Sequence, residues 1–118
     1  SETYLLQLLD QLVQAGYQSD QRFTESFIRS RINRGLGQMR IERELKEKGI
    51  EQDLIEQGFT VEIDWFELAY ECGLRKFRSL DLNDYKEKQK AFRYLAYRGF
   101  SMDQIHFAVE HYLELQKS

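Results

Sequence analysis

Proline is absent from the 118 residues, so no position forces a helix to kink for want of a backbone donor. Glycine is sparse, and most of Gly16, Gly35, Gly37, Gly49, Gly58, Gly73 and Gly99 sit where a helical pattern ends. Together these two scarcities favour an all-α protein. A single cysteine, Cys72, excludes an internal disulfide framework and a multi-thiolate zinc site, and it fits a reducing compartment, with the cytoplasm expected. No stretch approaches the roughly 18 apolar residues of a spanning helix, and Ser1-Glu2-Thr3 offers neither a basic nor an apolar leader segment. A soluble chain with no membrane partner is expected. Its first residue is Ser rather than Met, which fits a chain trimmed at its start.

Catalytic constellations are missing as well. His106 and His111 are five apart and do not share a helical face as an i, i+4 zinc pair would. Gly35-Leu36-Gly37 lacks the Lys-Ser/Thr of a phosphate loop, and Glu67 with Glu71 is ordinary helix-surface spacing. Cys72 falls in an apolar stripe and reads as buried and inert. The expectation is a protein that is not an enzyme and holds no metal or cofactor.

What the chain does have is apolar surface and alternating charge. Hydrophobic residues make up 42% and aromatics 14%, too much for a disordered chain. The net charge of −3 conceals three blocks. Residues 21–48 carry eight bases against four acids, 49–71 carry seven acids and no base, and 75–98 carry eight bases against three acids. Such blocks suit recognition of a charged partner as well as simple solvation.

The apolar spacing is helical throughout. Tyr4, Leu5, Leu8, Leu9, Leu12 and Val13 form a first stripe, expected to end at Gly16. Ser19 or Asp20 is placed to cap a second helix bearing Phe23, Phe27, Ile28 and Ile32, and further helices are expected over about 38–48, 51–57, 61–77, 84–98 and 101–115. Asp84 with Glu87 and Ser101 with Gln104 have capping-box spacing.

The second half restates the first. Leu45 to Ile55 aligns with Leu95 to Ile105 at an offset of 50, and Gly16-Tyr17, Phe23 and Phe27 align with Gly58-Phe59, Trp65 and Ala69 at an offset of 42. The later unit therefore holds about eight extra residues, placed near Leu80. This predicts two three-helix repeats, 18–58 and 59–118, preceded at 1–17 by the last helix of an incomplete first repeat. The whole should form an elongated, curved array of about seven helices. Phe23, Phe27 and Trp65 recur at matching positions and read as core.

Asp20-Gln21-Arg22-Phe23, Phe27, Arg31, Gly35-Leu36-Gly37, Arg40-Ile41, Glu44-Leu45 and Lys48-Gly49-Ile50 resemble the central signature of the RecX family. Tyr94 to Phe100 with Asp103 and Ile105 resemble its final repeat. Ser19 stands where the family usually has an acid, and full-length members carry a more complete first repeat. The resemblance implies tandem three-helix repeats and a non-enzymatic regulator that lies in the groove of the RecA filament on single-stranded DNA. Such a regulator damps RecA's ATPase, recombinase and coprotease activities.

Under that reading the partners are the RecA filament and, through it, single-stranded DNA, and the chain is expected to be a monomer. The candidate contact residues are Arg22, Arg29, Arg31, Arg34, Arg40, Arg43, Lys48, Arg75, Lys76, Arg78, Lys90, Arg93, Tyr97 and Arg98. Guanidinium suits planar, bidentate anion contacts, although Arg31 could instead anchor a carboxylate between helices. Tyr97 beside Arg98 would make an exposed contact pair. The competing reading from the residues alone is a helix-turn-helix regulator of duplex DNA, which should concentrate Arg, Asn and Gln on one recognition helix.

Overall fold

A computed structural model describes residues 1–59 and 62–118. Six α-helices account for most of them: α1 Glu2–Asn33, α2 Gln38–Glu47, α3 Gln52–Gly58, α4 Trp65–Arg78, α5 Tyr85–Tyr97 and α6 Met102–Gln116. The chain is thus all-α, as expected. The helix expected from about Val61 begins at Trp65, and position 61 itself lies outside the described residues.

The main departure is at the start. The helices expected on either side of Gly16 are one, and α1 runs 32 residues through Gly16, Ser19 and Asp20 without a break. Neither Ser19 nor Asp20 caps anything; the Asp20 carbonyl instead accepts from Thr24 Oγ1 at 2.7 Å, an interior helical contact. An isolated glycine inside a helix costs only about 1 kcal/mol, which the packing of the helix's second half offsets. There Ile28 and Thr24 close on Gly58 of α3, where a methyl group would meet their side chains at 2.6 and 2.9 Å.

The two repeats have separate cores. Phe27, Ile28, Leu36, Ile41, Leu45 and Ile55 form one; Ala69, Phe77, Leu82, Ala91, Leu95, Phe100, Ile105, Ala108 and Val109 form the other. Ile41 and Ala91, Leu45 and Leu95, and Ile55 and Ile105 are buried at the offset of 50 read from the sequence. Trp65 is half-buried and packs against both cores. Phe23 departs from expectation: it is 43% exposed, leaning on Phe27 at 5.6 Å. The eight extra residues of the second repeat are spread out. Three lengthen α4, two lengthen the following loop and three extend α5 backward.

The molecule measures 74 × 24 × 19 Å with a radius of gyration of 19.8 Å, against roughly 13–14 Å for a compact chain of this length. Much of the elongation is α1, about 48 Å long at 1.5 Å per residue. Every residue from Ser1 to Asp20 is exposed, including the apolar stripe from Tyr4 to Val13.

The repeats meet where three helix ends converge. The Gly37 and Met39 amides at the start of α2 donate to the Arg98 and Gly99 carbonyls at the end of α5, at 2.7 and 3.1 Å. Groups that each helix leaves unpaired thereby pair with one another, and the helix dipoles meet positive end to negative end. Gly37 supplies no side-chain cap, so α5 provides the cap for α2. Glycine is required on both sides. A methyl at Gly37 would lie 2.4 Å from the Gly99 oxygen, and Gly99 has φ +99° with Arg40 at 2.3 Å from its own would-be methyl.

Gly99→Ala should destabilise the fold by about 3 kcal/mol, from left-handed backbone strain plus overpacking. Gly16→Ala should stabilise it by about 0.5–1 kcal/mol, because nothing lies within 4 Å of the added methyl. Urea titrations of the two variants check both signs; a destabilised Gly16→Ala would mean that α1 is not continuous there.

Candidate anion-binding concavity at the joint between the repeats

The joint is a polar lock built on Arg98. Its Nε donates to the Gly35 carbonyl at 3.1 Å and its Nη2 to the Arg34 carbonyl at 2.9 Å, so a guanidinium sits on the carbonyls at the end of α1. A cation there is favoured by the helix dipole. The same guanidinium lies 5.2 Å from the Tyr94 ring centre, and Lys76 Nζ approaches that ring at 5.5 Å. Tyr94 is therefore in contact with two cations.

Around this pair opens a shallow concavity of about 480 Å³, lined by Lys76, Lys90, Arg93, Tyr94, Tyr97 and Arg98. Four cations and no carboxylate form its wall. Lys90 contacts Glu87 at 3.1 Å on the rim, and Arg93 is exposed with no ion pair among the described residues. Tyr97 is 75% exposed, and the Arg40 guanidinium stands 5.1 Å from its ring centre. Such a surface can hold phosphate or carboxylate oxygens and can offer an aromatic face for stacking.

Next to it lies an ion-pair triad. Glu44 accepts from Arg31 Nε at 2.8 Å and from Arg40 Nε at 3.2 Å, while Arg40 Nη1 donates to the Tyr97 carbonyl at 3.4 Å. Burial alone would raise the Glu44 carboxyl, but the hydrogen bonds and positive charges of Arg31 and Arg40 outweigh it and hold it below its ordinary 4.5. Arg31 also covers the Phe27 ring at 4.2 Å, and with Glu44 it fills the anchoring role that the sequence left open for it. Beside the lock, burial pushes the half-buried Cys72 thiol up, against the opposing charge of Arg98, which leaves it little thiolate.

Of the residues chosen from sequence, Lys76, Lys90, Arg93, Tyr97 and Arg98 come together in the concavity, with Arg40 at its edge and the Arg34 backbone behind it. Arg31 belongs to the triad. Arg22 and Arg29 lie exposed on α1, Arg29 beside the cleft toward α3; Arg43 makes a loose, exposed pair with Glu47, and Lys48 leans over Phe27. Arg75 and Arg78 are exposed in the last turns of α4. Tyr94 and Glu44 were not among the sequence candidates. Each stands four residues from a chosen arginine, Arg98 and Arg40, so helical spacing was the available signal.

Two family models match the chain: the second three-helix domain of RecX over residues 19–58 and the third over residues 62–109. The chain belongs to the RecX family. It is 40% identical over 105 residues to "Regulatory protein RecX" of Chromohalobacter salexigens, covering 88% of this chain and 68% of that one. With the Acinetobacter baylyi protein of the same name it is 41% identical over 108 residues, 92% of this chain and 67% of that. The Vibrio vulnificus protein shares 39% over 95 residues, 80% and 62%. The matches thus span about two thirds of these relatives' length. Among the described residues no group of three or more His, Cys, Asp or Glu side chains is placed to hold a metal ion. Among the described residues no helix is long and apolar enough to cross a membrane.

The triad predicts a pH dependence. Glu44 titrates lower folded than unfolded, so its contribution to stability is complete above its ordinary 4.5 and is lost as pH falls through the lowered folded value. Glu44→Gln should be less stable at neutral pH and lose less between about pH 5 and pH 3. Urea unfolding across that range checks it; parallel profiles for the two proteins would show that the triad does not couple to folding.

Proposed function

We propose that this RecX-family chain modulates a RecA filament on single-stranded DNA, seating the joint concavity on phosphate oxygens or acidic filament surface and damping RecA's ATPase, recombinase and coprotease activities. The observation that carries the reading is the concavity itself: Lys76, Lys90, Arg93 and Arg98 line one hollow without a carboxylate among them. A filament repeats its charge at fixed intervals, and an elongated array can present several such contacts along it. Exposed Arg75 and Arg78 continue the basic character of α4 toward its end.

The spread of cations over α2, α4 and α5 speaks against the duplex-reading alternative, which needs base-contacting side chains concentrated on one helix. The exposed apolar stripe from Tyr4 to Val13 supports reading the first half of the continuous α1 as the part that packs on a further three-helix unit. Cytoplasmic residence and a monomeric state belong to the same proposal.

The test is RecA's ATPase on single-stranded DNA with substoichiometric amounts of the chain, which should be inhibited. Lys90→Glu with Arg93→Glu should weaken inhibition about tenfold or more while helicity is unchanged, since both side chains are exposed and neither holds the joint. If phosphates are touched directly, the log–log salt dependence of binding should also become shallower, by about 0.7 for each phosphate that the variant no longer engages. A folded wild-type sample without inhibition would overturn the proposal for this chain; undiminished inhibition by the double variant would overturn the site.

A further inference from the structure

The other side of α4 carries a surface of the opposite kind. Phe66 and Phe107, from α4 and α6, meet edge to face at 5.6 Å and remain 42% and 39% exposed. Phe107 stacks on His111 at 5.4 Å with the rings 10° apart, and His111 in turn stands edge-on to Tyr70 at 4.6 Å. Four rings from two helices thus make one strip. Single exposed apolar side chains are ordinary, but two adjoining phenylalanines with open faces need a reason.

The charged side chains that flank the strip on α4 and α6 are acidic. Glu67 and Glu71 on α4, and Asp103, Glu110 and Glu114 on α6, are all exposed, and none has an ion pair among the described residues. From Asp64 to Leu74 and from Ser101 to Gln116 the sequence contains no lysine or arginine. By helical spacing Asp103, Glu110 and Glu114 project on the flank next to Phe107, and Glu67 next to Tyr70. Phosphate backbones and anionic lipid surfaces share the sign of these carboxylates and are repelled.

We infer that this strip docks a cationic amphipathic helix of a partner protein. Its apolar side chains lie on Phe66 and Phe107, and its lysines and arginines reach the carboxylates and the negative ring faces. The same residues that exclude nucleic acid select this partner, because charge complementarity raises the encounter rate while the aromatic rings hold the complex. The inference is independent of the filament reading and concerns a face that the joint concavity does not reach.

The probe is a synthetic amphipathic helix with Lys and Arg on one face and Leu on the other, titrated into the isotope-labelled full chain, with a Glu-for-base counterpart as control. The basic peptide should shift amide resonances of α4 and α6 around Phe66 and Phe107, and affinity should fall with salt. Phe66→Ala with Phe107→Ala, and separately the exposed pair Glu110→Lys with Glu114→Lys, should each weaken binding about tenfold. The second pair tests the surface without touching the core.

Equal binding of the acidic peptide, shifts confined to other helices, or unchanged affinity in Glu110→Lys with Glu114→Lys would overturn the inference. So would self-association in sedimentation without peptide, abolished by the phenylalanine variant, which would assign the strip to a second copy.

Discussion

Everything placed by the second repeat relative to the first depends on one backbone contact, the end of α5 against the start of α2. Two amide-to-carbonyl bonds cross it, together with two from the Arg98 guanidinium to the end of α1. At about 1 kcal/mol for a neutral bond and about 2 for one from a charged donor, these four rival the burial of a few side chains. Their geometry matters more than their sum. They can form only if two backbones come within hydrogen-bonding distance, which the absence of side chains at Gly37 and Gly99 permits.

Hydrophobic contact alone would leave the repeats loosely related. Each has its own core, and Trp65 is the described side chain that packs on both. Apolar contact is non-directional and tolerates sliding. Hydrogen bonds from three helix ends do not, because each has a narrow range of distance and angle. The repeats therefore adhere through Trp65 and are oriented by the polar joint. The concavity itself is built within the second repeat, where Lys76 of α4 and Arg98 after α5 converge on Tyr94, and the joint fixes the Arg98 guanidinium at one side of it.

The residues made most of this architecture legible, and the exceptions have physical causes. At Gly35, Gly49 and Gly99 the following apolar residue returns its amide to the helix, Leu36 to Arg31, Ile50 to Leu45 and Phe100 to Leu95, the closure that a Gly-apolar pair signals. Gly16-Tyr17 has the same local spelling and no such closure, because a helix stops only where stopping is better than continuing, and the packing of α1's second half on α3 decides that from a distance. Phe23 departs for a related reason: equivalence with Trp65 holds in sequence, but Trp65 has a second core to touch and Phe23 does not. In the candidate site the positive blocks are visible in the residues, yet which cations are consumed internally is not. Arg98 spends its donors on carbonyls 63 and 64 residues away, and Arg31 reaches Glu44 across 13.

The partner of each cation decides whether its charge remains available. Arg31 and Arg40 share one carboxylate, so two positive charges are reduced to one and their field is largely local. Arg98 is held by neutral carbonyls and a neutral ring, and Lys76 by the same ring, so both are positioned without being neutralised. Dipoles orient a charge while leaving its net value intact. These two members of the wall keep an outward positive potential even though they are held, and an arriving anion meets them already in place. Little ordering entropy is then left to lose on binding. The interaction that locks the repeats together is in this way also the one that leaves the concavity charged.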